Sequence, residues 1–415
     1  MTVSQNASVA GEVDRAFRSL PDRYLGAPAG FDATWHLRLG DIGRSWEVHC
    51  TAHGARVRAG RAARKPDVTI GTDAGTWMAL RAGELNGIEA FAQRRLYARG
   101  NLDLAVGFEG LFRLEGDRPP LLRIHDVPVG RLSISTLTMG AGPDVLLLHG
   151  LGAAKSSFFD TAAELSRAGY RVHALDLPGF GGSSKRPAAY GAAYFARVVL
   201  GVMDELGIGR AHFVGNSMGG RVALEMGLRH PERVGALALL CPAVAFVKRE
   251  FAPIVRLLRP ELGLLPHSLG RKRIEHQFWD MFADRDLVDP VLGDIVVDEF
   301  ERIYRSAGAR LAFLSSARAL YLDAPFGRHG FYPRLAELQT PSMFVWGTDD
   351  RIVSSDFRRH VEQWLPSAEH ITLDGCGHVP QIERPGHTNG LIRRFFGHAD
   401  ALGDRPSANR LSAAA

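Results

Sequence analysis

From Thr34 the chain alternates: Trp35, Leu37 and Leu39 fall on one side of an extended strand and His36 and Arg38 on the other. Trp46, Val48 and Cys50 repeat the pattern against Glu47 and His49, and Gly40-Asp41-Ile42-Gly43 between the runs predicts a hairpin. Ala55–Arg58, Asp67–Ile70 and Leu96–Arg99 are further strand candidates. Helical spacing takes over in Trp77, Leu80 and Leu85, then in Ile88, Ala90 and Phe91, and again from Leu102 to Phe112. Ahead of this unit, residues 1–30 read as a weakly ordered extension in which Val13, Phe17 and Leu20 are spaced to dock as a short helix.

A second rhythm begins after Gly116-Asp117-Arg118-Pro119-Pro120, where paired prolines stop a helix and stiffen a connection. Short apolar strands at Val145–Leu148, Arg171–Leu175, Ala211–Val214, Ala236–Leu240, Ser342–Trp346 and Glu369–Leu373 alternate with helical patterns. Near-continuous apolar strands in βα alternation predict a mostly parallel, doubly wound α/β sheet covered on both faces. The rhythm breaks at about 246–334 in a mainly helical stretch that reads as an inserted lid, and 398–415 reads as a disordered tail. The expected organisation is an extension (1–30), a small α+β domain (31–115), a linker (116–130), the α/β domain (131–397) and the tail.

Composition narrows the classes. With 46% hydrophobic and 23% charged residues the chain is globular, and no apolar run approaches a bilayer span. The amino terminus has neither the basic start nor the apolar core of a secretory signal, so a cytoplasmic protein is expected. Three cysteines, Cys50, Cys241 and Cys376, form no close pair, which argues against disulfides and cysteine-based metal sites. The net charge of +5 is carried mainly by scattered arginines, and no reading motif accompanies it, so nucleic acid is not an expected partner.

The chemistry centres on Gly215-Asn216-Ser217-Met218-Gly219, between a strand and a helical pattern. A serine hydroxyl needs an oriented base and donors for the oxyanion that its attack creates. Upstream, strand Val145–Leu148 runs into His149-Gly150-Leu151-Gly152, so the backbone amides of Leu151 and Met218 are assigned as the oxyanion donors. His149 is read as a brace for that loop. Downstream, Gly347-Thr348-Asp349-Asp350 and Gly377-His378 each follow a strand, giving the chain order Ser, Asp, His. His378 is the expected base and Asp350 its orienter; Asp349 is the rival acid and Asp374 a turn residue.

These motifs, with Asp176-Leu177-Pro178-Gly179-Phe180-Gly181, resemble the α/β-hydrolase superfamily over about 131–397. The resemblance implies that fold with a serine nucleophile, and a serine at the elbow argues against the carboxylate-nucleophile branches. The elbow is also similar to those of ring-cleavage-product hydrolases, although Gly-Pro-Gly after His149 and tryptophan after His378 are missing. Trp35-His36-Leu37, Pro66-Asp67-Val68-Thr69-Ile70 and Gly100-Asn101-Leu102-Asp103-Leu104-Ala105 resemble the sterol-carrier lipid-binding family over about 34–112. That resemblance implies an apolar ligand tunnel near Trp77, Leu80, Leu85, Phe91, Leu104, Phe108 and Phe112. The expectation is a serine hydrolase of a hydrophobic acyl-lipid or sterol-like ester, with carbon–carbon hydrolysis or non-catalytic lipid binding as alternatives. It needs no cofactor or metal, and transient contact with a membrane surface fits the lipid reading.

Overall fold

The computed structural model describes residues 3–248, 252–257, 259–265, 270–288 and 290–403. The chain forms two compact units, one mainly of residues up to His125 and the other mainly of residues from Asp126 onward.

The first unit holds strands β1 (Asp32–Leu39), β2 (Arg44–Thr51), β3 (Gly54–Ala59), β4 (Val68–Thr72) and β5 (Leu96–Gly100) in the order β3-β2-β1-β4-β5. β1 and β2 pair as the expected antiparallel hairpin, while β1 and β4 run parallel. Alternation puts Trp35, Leu37, Leu39, Trp46, Val48 and Cys50 into the core, each almost fully buried. The amino-terminal segment forms a helix, as its spacing predicts. Helix Val3–Arg18 buries Val13 and Phe17 completely, and the Phe17 ring stacks between Trp46 at 4.0 Å and Trp77 at 4.3 Å.

Of the tunnel residues inferred from sequence, Trp77, Phe108 and Phe112 belong to this aromatic core and Leu104 packs against it. Leu85 is buried, Leu80 is half-buried, and Phe91 packs in a smaller cluster with Ala98 and Leu102.

The second unit is built on an eight-stranded sheet of β6 (Leu122–Val129), β7 (Leu132–Met139), β8 (Asp144–Leu148), β9 (Arg171–Leu175), β10 (Ala211–Asn216), β11 (Val234–Leu240), β12 (Ser342–Gly347) and β13 (Glu369–Leu373). Their order is β13-β12-β11-β10-β8-β9-β7-β6, and β8 to β13 pair in parallel. Every residue of β10, β11 and β12 is buried, which is why these strands read as continuous apolar runs. Two sequence expectations are corrected. Residues 116–130 are not simply a linker: β6 lies there, its alternation obscured because the buried Leu122 and Val127 are an odd number of positions apart, so the pattern changes phase between them. The tail begins later than 398, because helix Pro385–Gly403 continues to Gly403; residues 404–415 lie outside the described residues. The inserted stretch between β11 and β12 contributes helices Ala252–Leu257, Arg271–Trp279, Pro290–Tyr304, Ala307–Leu322 and Phe331–Leu335.

Candidate active site

Ser217 stands where β10 meets helix Met218–Arg229, with φ 53° and ψ −117°. A left-handed conformation at a non-glycine residue costs roughly 1–3 kcal/mol and persists only where neighbours enforce it. Here the Ser217 N–H donates to the Leu240 carbonyl at 3.0 Å, and the Ser217 carbonyl accepts from Ala243 at 2.9 Å and Arg221 at 3.1 Å. The turn also needs glycine at 219, where a Cβ would lie 1.9 Å from the Leu148 carbonyl oxygen. The result lifts a half-buried serine out of an otherwise buried elbow.

His378 and Asp350 meet at the carboxyl ends of the neighbouring strands. Nδ1 of His378 lies 2.7 Å from Oδ2 of Asp350, and both side chains are almost wholly buried. The other carboxylate oxygen accepts from the Ile352 and Val353 amides at 2.8 Å each, which fixes the plane of the acid. With Nδ1 donating to the carboxylate, Nε2 is the free basic nitrogen. The rival Asp349 is exposed and accepts from Thr348 Oγ1 at 2.7 Å, and Asp374 is exposed as well.

Two residues that sequence reasoning did not single out hold this base. Asn216 donates through Nδ2 to the carbonyls of Leu240 and His378, each at 3.0 Å, and so ties the elbow to the histidine loop. Glu383, 3% exposed, accepts from the Gly377 amide at 2.6 Å through one oxygen and from Ala283 and Asp284 at 2.9 and 2.8 Å through the other. The His378 N–H itself donates to Met281 in the helical insertion at 2.7 Å. A glutamate five positions after a glycine-histidine pair carries no local signal, so only the fold exposes this clamp.

The loop after β8 is set by a buried polar network. His149 donates through Nδ1 to the Gly150 carbonyl at 2.7 Å, and its Nε2 accepts from the Leu177 amide at 2.9 Å. Because the Gly150–Leu151 peptide is trans, pinning that carbonyl toward His149 turns the Leu151 N–H the opposite way. Burial holds the His149 pKa below its ordinary value, consistent with this neutral tautomer. Beside it, the Lys155 ammonium lies 2.6 Å from Asp176, both fully buried. Burial alone would raise the Asp176 pKa, but Lys155 and His149 hold it below the usual carboxylate range. Met218 is the first residue of its helix, where an N–H has no intrahelical acceptor. Gly150 closes the arrangement: a Cβ there would sit 3.3 Å from the Cβ of Ser217.

Cys241, also missed from sequence, lies in the same cluster. Donor atoms of Cys241, Asp350 and His378 fall within 4.8 Å of one another. Burial and the Asp350 charge push the Cys241 thiol far above its ordinary pKa, so it sits protonated beside the pair. The 2.7 Å contact occupies His378 Nδ1. The trio therefore reads as an acid–base cluster.

Residues 143–286 and 298–385 match the family profile of the alpha/beta hydrolase fold. The chain belongs to the α/β-hydrolase family. Residues 17–113 of this hydrolase match the SCP-2 sterol transfer family. Among curated relatives, the 2-hydroxymuconate semialdehyde hydrolase of Pseudomonas putida is 34% identical over 276 residues, 63% of this chain and 90% of that protein. The 2-hydroxy-6-oxo-6-phenylhexa-2,4-dienoate hydrolase of Comamonas testosteroni is 30% identical, covering 68% and 97%. Among solved structures, a membrane phospholipase A described as a bacterial virulence factor aligns with a TM-score of 0.57 at 28% identity, covering 68% of this chain and 87% of its own. Among the described residues, no helix is long and apolar enough to cross a membrane.

Proposed function

We propose that this hydrolase cleaves a carboxylic ester of a hydrophobic, lipid-like substrate through an acyl-Ser217 intermediate. His378 Nε2 takes the Ser217 proton as Oγ attacks the carbonyl carbon, and Asp350 steadies the resulting imidazolium. The amides of Leu151 and Met218 receive the oxyanion. The tetrahedral intermediate collapses, His378 returns the proton to the departing alkoxide, and a water activated by His378 releases the acid and regenerates Ser217.

The observation that carries the choice of substrate is the wall beside the oxyanion loop. At Gly152 a Cβ would lie 2.9 Å from the Phe300 ring and 3.0 Å from the Phe313 ring, so two aromatic side chains of the insertion border the loop. Apolar walls favour an acyl chain over a hydrated headgroup. The SCP-2 match supports a lipid-like substrate, and the 28% identity to a phospholipase supports ester chemistry.

A second reading keeps the same residues but breaks a carbon–carbon bond next to a ketone, and the two curated hydrolases above favour it. Parallel assays separate the readings. Release of p-nitrophenol from the octanoate ester, with no loss of absorbance from a vinylogous 1,5-diketone, is expected. Consumption of the diketone without ester turnover would overturn the ester reading.

A further inference from the structure

The solvent-facing side of the first unit's sheet carries a cluster of arginines. The strand register lines up Glu47, His36, Thr69 and Arg99 in one row across β2, β1, β4 and β5, and Ser45, Arg38, Gly71 and Tyr97 in the next. The opposite face is the aromatic core, so these rows point away from it. His36 and the second row floor a groove of about 830 Å³ that is lined by Arg38, Arg44, Arg61, Arg64, Arg94 and Arg95.

Arginine makes up about one residue in nine of the chain, so the seventeen lining residues would carry about two by chance; they carry six. Arg61 and Arg64 follow edge strand β3, while Arg94 and Arg95 precede the opposite edge strand β5. Cations therefore reach the groove from both sides of the sheet. Among the described residues, no carboxylate lies within ion-pair distance of Arg38, Arg61 or Arg64. The acid in the middle of the face, Glu47, is occupied by Arg58 at 3.3 Å and by the Ala63 amide at 2.6 Å.

Two further features mark the floor as shaped. Nε2 of His36 is shielded from solvent and has no hydrogen-bond partner. Gly71 leaves room for Tyr97, since a Cβ there would fall 1.8 Å from its ring; the ring, 48% exposed, lies across the sheet beside Arg38.

We propose that this groove binds a small molecule carrying two or more phosphate groups. A single carboxylate brings one charge, too little to offset the guanidinium groups of Arg38, Arg61 and Arg64, whereas each phosphate brings up to two and matches the guanidinium fork with paired hydrogen bonds. The concave floor favours a compact anion, which can meet Arg38 together with Arg61 and Arg64.

Calorimetric titration of the full-length protein with inorganic tripolyphosphate at low ionic strength tests this, since screening weakens exposed charges. One saturable site is expected. Arg38→Ala should bind roughly 10- to 100-fold more weakly, as expected for losing one hydrogen-bonded charge. Arg61→Ala/Arg64→Ala, on a loop outside the strands, should show a comparable loss, and Arg359→Ala on the hydrolase unit should bind as wild type does. Absence of saturable binding by the wild type overturns the proposal, as does equal weakening in Arg359→Ala. Binding to phosphatidylglycerol vesicles without binding to tripolyphosphate overturns it too, because the face would then serve a membrane.

Discussion

The Asn216 side chain donates to the His378 carbonyl at 3.0 Å, so the residue before the proposed nucleophile fixes the loop that carries the proposed base. The same Nδ2 also serves Leu240 at the end of β11, so one amide registers three strand ends. Asn216→Ala leaves two buried carbonyls without this donor and frees the loop to shift. A displacement of about 1 Å at a reacting group costs on the order of 100-fold. Steady-state kinetics on Asn216→Ala should show kcat down by roughly 10- to 100-fold with KM little changed. Asn216→Asp should do no better, because it aims a carboxylate at two carbonyl oxygens. Wild-type kcat in both variants would contradict the assignment.

His149 makes stability sensitive to acid in a defined direction. Its folded pKa is held below the ordinary 6.5 by burial, so its contribution is complete above that pH and is lost as pH falls below it. The slope attributable to one such group approaches about 1.4 kcal/mol per pH unit. Urea unfolding between pH 7 and 5 should show falling stability, and His149→Phe should have a shallower slope. That variant also leaves the Gly150 carbonyl to the Ala153 amide alone, at 3.2 Å, and losing the oxyanion donor that this carbonyl orients would cost up to roughly 100- to 1,000-fold in kcat. An unchanged slope together with unchanged kcat would contradict the bracing role.

Glu225 anchors the helix that begins at the nucleophile elbow. Burial alone would raise its pKa, but Arg334 at 2.8 and 2.7 Å, Arg229 at 2.8 Å and Arg221 hold it down to about 2. Its stabilisation is therefore present above the ordinary value of 4.5 and is lost as pH falls toward 2. Removing one partner from a buried ion pair costs about 3–5 kcal/mol, so Glu225→Gln should lower unfolding stability by about that much. Denaturant unfolding at pH 7 checks the magnitude, and a loss below about 0.5 kcal/mol, the range of ordinary surface substitutions, would contradict it.

Much of this architecture was legible because burial writes itself into sequence. The wholly buried strands β10, β11 and β12 had to be apolar throughout, and the half-buried β1 and β2 had to alternate. The helical docking pattern of Val13, Phe17 and Leu20 was visible too, but its fit between two tryptophans was not, since stacking depends on residues far along the chain. Strand β6 escaped because its alternation changes phase between Leu122 and Val127 and two prolines precede it. Within the site, Ser217, His378 and the Asp349–Asp350 pair stood in local motifs, and geometry separates the two acids: only Asp350 meets His378. Glu383 and Cys241 reach the cluster through tertiary packing and leave no spacing to read. The six arginines of the groove looked scattered because they come from β1, β2 and the segments flanking the two edge strands, which only the folded sheet brings together.

The central claim is that Ser217 is the nucleophile activated by His378 and Asp350. Intact-protein mass spectrometry after reaction with a fluorophosphonate tests it most directly. The wild type should gain a single adduct, mapped by fragmentation to Ser217, while Ser217→Ala gains none and His378→Ala and Asp350→Asn react at least about 100-fold more slowly, as expected when members of one catalytic unit are removed. Adduct formation in Ser217→Ala at the wild-type rate, or an unmodified wild type, would contradict it.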